Sequence, residues 1–175
     1  LADAWVLAAR EYNEDPVLRT MLPATWLGTA RRRTILLFLR TPAGVRRMAV
    51  ARYDVGDAFP SAWDPEAQPD PWSRLAELLA EADPARIGIN SSAVFALADG
   101  LSASEREELM AHLAPSLAGR VVSAESAAIG WLETRLPEER DRMADACRAA
   151  HRFLRRALSD EVIRPGATTT TEVGG

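Results

Sequence analysis

The chain has 175 residues, of which 47% are apolar and 26% charged, the composition of a folded protein and long enough for one domain or one domain plus part of another. All 21 basic residues are arginine, which excludes a phosphate-loop, Schiff-base or general-base lysine. The net charge of −4 argues against nucleic acid as a partner.

In chain order, Ala4 to Arg10 is a short, mainly apolar run that reads as a buried strand. Asp15 then caps a helix with Pro16 at its first position, and Pro23 stops it after about two turns. The run Arg31 to Arg33 reads as a solvated turn before the next strand, not as an anion site. Thr34 to Arg40 is strand-like, and Thr41 to Gly44 supplies turn residues. A second strand, Val45 to Tyr53, then closes an antiparallel hairpin.

A proline-rich loop spans Asp54 to Pro71. Asp70 caps a helix starting at Pro71, with Trp72, Leu75, Leu78, Leu79 and Ala82 on one stripe. Ala85 to Asn90 is another strand. Ser102 and Glu105 form a capping-box pattern for a helix with Leu109, Met110 and Leu113 inward, and a short last strand follows near Val121. Strands alternating with helices predict an α/β fold, and the hairpin makes its β-sheet mixed, flanked by helices.

The segment Pro137 to Leu158 differs. Met143, Cys147, Ala150, Phe153, Leu154 and Leu158 recur at three- and four-residue spacing, with acids early and arginines late, as the helix dipole favours. Such a helix would run roughly 33 Å and needs a surface for its apolar stripe. Cys147 on that stripe reads as a packed thiol rather than a nucleophile. As the only cysteine it forms no internal disulfide, which suggests a reducing, cytoplasmic setting. No run reaches the roughly 20 apolar residues of a membrane span. The first residue is Leu1, not Met, so the sequence is expected to be incomplete at its front.

The usual catalytic motifs of zinc peptidases, serine hydrolases and nucleotide-binding loops do not occur. His112 and His151 read as helix-surface or boundary residues. Ser91 and Ser92 read as turn or cap residues, and Asp54, Asp57 and Asp64 as turn formers rather than a carboxylate cluster for a metal. Arg10 to Pro16 places Arg, Glu, Tyr, Asn, Glu and Asp between a strand end and a helix start, a frequent address for ligand contacts. A cap with surface ion pairs is the competing reading of the same residues.

The order of these pieces resembles the creatinase, prolidase and Xaa-Pro aminopeptidase family of metallopeptidases. The likeness is carried by "DAWVLAAREYNEDP", "TILLFL", "RIGIN" and "FALADGLSASEREEL", and most specifically by "WLETRLPEERDRMADACRAAHRFLRRAL", similar to the family's linker and first long helix. Leu-Pro stands where that linker usually has Lys-Ser. "VIRPGATTTTEV" is similar to the family's Pro-Gly turn into its second helix.

The resemblance implies two domains. Residues 1–132 would be the non-catalytic N-terminal α/β domain with a ribonuclease H-like layout, and residues 133–175 the linker, long helix and start of a truncated pita-bread catalytic domain. It implies a cleft-shaping and homodimer-contact role, with a peptide substrate bound only by the full-length protein; the acidic balance and the lack of a long apolar run already argue against a nucleic-acid or membrane partner. It also implies two divalent metals (Mn, Co or Zn) held by ligands beyond Gly175, so that this chain has no metal site and no catalytic residue and is inactive alone. Arg10, Tyr12 and Asn13 replace the family's usual stretch after the first strand and are the candidate cleft contacts. A free-standing α/β ligand-binding or protein-interaction module, with the long helix packed on its own sheet, is the alternative.

Overall fold

The computed structural model describes residues 2–22 and 32–174 and divides into two units, Leu1–Glu133 and Thr134–Gly175. Pro23, expected to stop the first helix, and Arg31 lie outside the described residues.

The first unit is an α/β layer structure. Its strands are β1 (Ala4–Ala9), β2 (Thr34–Thr41), β3 (Gly44–Ala51), β4 (Ile87–Ile89) and β5 (Val121–Ser123). They form one mixed, open sheet in the order β3-β2-β1-β4-β5. The pairs β1–β2 and β2–β3 are antiparallel, while β1–β4 and β4–β5 are parallel. The helices are α1 (Pro16–Met21), α2 (Pro71–Ala82), α3 (Ala103–His112), α4 (Pro115–Ala118) and α5 (Glu125–Glu133).

Burial on both faces explains why β1 reads as a continuous apolar run instead of an alternation. Val6 and Ala8 join Ile35, Leu37 and Val50 in a core with Trp72, Leu75 and Leu79 of α2 and Leu109 of α3. Leu7 and Ala9 join Leu36 and Ala49 in a second core, on Val17 and Leu18 of α1 and Ala128 of α5. Gly88 of β4 is required by close approach, since a Cβ there would sit 2.9 Å from the Ala2 side chain and 3.0 Å from that of Ala124.

The local signals act as their chemistry dictates. Asp15 accepts from the N–H groups of Val17 and Leu18, and Asp70 from those of Trp72 and Ser73, each ahead of a proline at the first helical position. The Ser102 hydroxyl accepts from Glu105 N–H. The turn Thr41 to Gly44 closes the hairpin, with Gly44 at φ 124°. Several details differ from expectation. Ala82 is exposed at the end of the α2 stripe, Met110 is only half-buried, and α4 and α5 form where no helix is predicted.

The second unit contains α6 (Pro137–Ala157) and the short α7 (Thr170–Gly174). No residue of α6 is buried, and Met143, Phe153, Leu154 and Leu158 stand exposed. Cys147 is exposed as well, contrary to the packed thiol expected, because its helix buries none of its stripe. Thr169 and Glu172 form the capping exchange at α7, with Thr169 N–H donating to Glu172 Oε2 at 2.8 Å. Among the described residues, no helix is long and apolar enough to cross a membrane.

Candidate functional site

Ligand-contacting loops of α/β sheets gather at the carboxyl ends of parallel strands. Here those ends are Arg10 after β1, Asn90 to Ser92 after β4, and Ser123 to Glu125 after β5. Arg10 N–H donates to the Asn13 carbonyl at 3.2 Å and Asn13 N–H to the Arg10 carbonyl at 2.9 Å, closing a two-residue turn over Glu11 and Tyr12. Tyr12 sits in the left-handed region at φ 64° and is 88% exposed. The Arg10 guanidinium lies 3.5 Å from the Ser104 hydroxyl at the start of α3. The structure therefore brings Arg10 and Asn13 together through their backbones and turns Tyr12 outward.

Beneath this turn runs a buried polar relay that the sequence does not announce. The Trp5 indole N–H donates to Asn90 Oδ1 at 2.8 Å, and Asn90 Nδ2 donates to Asp15 Oδ2 at 2.8 Å. Asp15 Oδ1 accepts from Val17 and Leu18, so both carboxylate oxygens are committed. Asp15 and Asn90 are fully buried. Burial pushes the Asp15 carboxyl above its ordinary range and the charge of Glu105 adds to this, while the Leu18, Asn90 and Val17 bonds pull the other way. Gly100 completes the arrangement, since a Cβ at that position would collide with the Asp15 carboxylate. The relay ties β1, the start of α1 and the end of β4 together.

A second polar group lies beside α2 and α3. Glu105 is 1% exposed, with Arg33 Nε 3.7 Å from its Oε1 and the Ser102 hydroxyl 3.0 Å from its Oε2. Arg33 also pairs with Glu108 at 2.8 Å and lies 5.1 Å over the Trp72 ring. The expected solvated turn is thus corrected at Arg33, which packs against an aromatic face and a buried carboxylate, while Arg32 is exposed.

The remaining candidates keep structural duties. The Ser92 hydroxyl contacts Glu125 and accepts from the N–H groups of Val94 and Phe95. Asp54 and Asp64 accept from N–H groups two residues ahead, the Asx-turn pattern. His112 bridges two helices: its Nε2 is 2.9 Å from Asp70 Oδ2 and its Nδ1 2.7 Å from the Glu108 carbonyl. Burial alone would raise Asp70, but hydrogen bonds from Ser73 and Trp72 and the charge of His112 outweigh it and hold the carboxyl below its ordinary value.

The pair of divalent metals implied by the resemblance finds no fit in these residues. Among the described residues, no three His, Cys, Asp or Glu side chains are grouped to hold a metal ion, and the oxygens of Asp15 are already bonded. Asn90, Gly100 and Glu105 are the residues that sequence reasoning missed. The one available signal was a polar Asn directly following the apolar β4. Comparison of the chain with protein-family models, with curated proteins and with solved structures finds no match.

Proposed function

We propose that this chain provides the non-catalytic α/β domain of a Xaa-Pro aminopeptidase- or prolidase-like dinuclear metallopeptidase, walling the substrate cleft and contributing homodimer contacts. The metal pair belongs to a catalytic domain to which the second unit leads. The observation that carries this reading is the succession of elements. A mixed sheet, in which an antiparallel meander is extended by two parallel strands, is compatible with a ribonuclease H-like layout. It is followed by a separate unit of a 21-residue amphipathic helix, a turn at Pro165 and Gly166, and a Thr-capped helix. That is the order of parts the sequence resemblance implies.

Within this reading Arg10, Tyr12 and Asn13 are cleft contacts that supply substrate binding. A chimera tests it: Leu1–Glu133 replaces the corresponding domain of a characterised prolidase, with metal content and circular dichroism recorded alongside hydrolysis of Xaa-Pro peptides. The expected chimera is dimeric and active, and Arg10→Ala or Tyr12→Ala in it raises KM while leaving kcat unchanged. A folded, metal-loaded chimera without activity overturns the proposal, as does Xaa-Pro hydrolysis by the 175-residue chain alone.

A further inference from the structure

β3 forms one edge of the sheet, and its two halves are finished differently. Ala49 turns its backbone groups outward: its N–H donates to the Pro60 carbonyl at 3.0 Å, and its carbonyl accepts from Ala62 N–H at 2.8 Å. The loop at Ser61 thereby runs beside β3 in parallel. Backbone direction alternates along a strand, so Val45 and Arg47 turn their N–H and C=O groups outward as well. Among the described residues no segment pairs with them there, and Gly44 to Arg47 are exposed throughout.

The same alternation puts the Val45 and Arg47 side chains on the sheet face of Trp5 and Phe38, in the register Trp5–Phe38–Arg47. Trp5 and Phe38 stack at 5.5 Å. Beside them opens a mainly apolar depression of about 220 Å³, bounded by Val45, Arg40, Asp3 and Ala127. An open strand edge is a template for another extended chain, and an adjoining pocket selects its alternate side chains.

Charge decides which chain fits. Arg46 and Arg47 stand on the open half and Arg40 beside it, with Asp3 at 4.0 Å offsetting Arg40. A second copy pairing edge to edge would set these arginines against their own images, which disfavours self-association. An acidic segment meets no such repulsion.

We propose that the Gly44–Arg47 half of β3 is a docking edge for an extended acidic segment of a partner protein. Its backbone pairs at Val45 and Arg47, and one apolar side chain enters the depression beside Trp5 and Phe38. The surface is independent of the metallopeptidase reading.

The test is an amide NMR titration of the full chain with the blocked peptide Asp-Glu-Phe-Val-Glu-Asp. Shifts centred on the Val45 and Arg47 amides and the Trp5 indole are expected. Arg46→Glu with Arg47→Glu, both at exposed positions, should weaken binding about tenfold or more while leaving the circular dichroism unchanged. N-methylation of alternate peptide nitrogens should abolish binding. Three results overturn the proposal: no binding at millimolar peptide, shifts centred elsewhere, or equal binding by a peptide with lysine in place of each acid.

Discussion

Asn90 and Asp15, 75 residues apart in sequence, meet through one hydrogen bond of 2.8 Å in the buried interior, and that bond orients both side chains. Asn90 must present its amino group to the carboxylate and its carbonyl to the Trp5 indole, so neither partner has a free rotational choice. Asp15→Asn retains the oxygen that caps α1 but sets one amide donor against another. We expect a loss of about 1–3 kcal/mol, read as a lower urea midpoint at unchanged m-value. A wild-type midpoint in Asp15→Asn would show that the relay carries no stability.

The two capping aspartates predict opposite pH dependences. Burial raises Asp15, so the native state holds that proton more tightly than the unfolded chain. Its contribution falls as pH rises from the ordinary carboxylate value through the raised native one. Asp70 is held low despite its partial desolvation, so its contribution is present above the ordinary value and lost as pH falls through the native one. Thermal melts from pH 3 to 7, each range compared with wild type, should therefore diverge in sign. The deficit of Asp15→Asn shrinks toward neutral pH, and that of Asp70→Asn grows.

Gly100→Ala should destabilise through steric conflict with the Asp15 carboxylate. The cost expected for overpacking is about 1–3 kcal/mol. Combining it with Asp15→Ser, which shortens the side chain, should cost less than the sum of the single changes. Additive losses in that double-mutant cycle would refute the contact.

Arg33→Ala leaves Glu105 buried with its nearest cation removed, and a loss of roughly 3 kcal/mol is expected. Glu105→Leu in the same background should recover most of it, because the cost lies in the uncompensated charge. Calorimetric melting temperatures of the single and double variants decide the matter.

Much of the first unit was legible because its signals are local. Asp15 before Pro16, Asp70 before Pro71 and Ser102 before Glu105 each satisfy N–H groups within three residues, so the cap is visible in the letters. The hairpin was legible for the same reason at Thr41 to Gly44. What escaped depends on distant partners. Nothing beside Asn90 reveals that Asp15 lies beneath it, and nothing in the capping box reveals that Glu105 is buried against Arg33. Helix α5 escaped because it is short and carries little amphipathic contrast, with Ala128 its buried residue. Arg10, Tyr12 and Asn13 were chosen for their position between a strand and a helix, and the exposure of Arg10 and Tyr12 comes with a turn conformation that their identities do not specify.

The place of β1 in the middle of the sheet has a consequence for how the protein is made. On its β2 side the strand closes early, since the meander uses residues up to Ala51. On its other side it pairs with Ile87 to Ile89, which a ribosome delivers much later. Until then β1 presents an apolar, unpaired edge, the feature that makes nascent chains stick to one another. Closure across so long a separation is slow relative to hairpin formation. The interval between Ala51 and Ile87 is therefore the period in which a chaperone has most to protect.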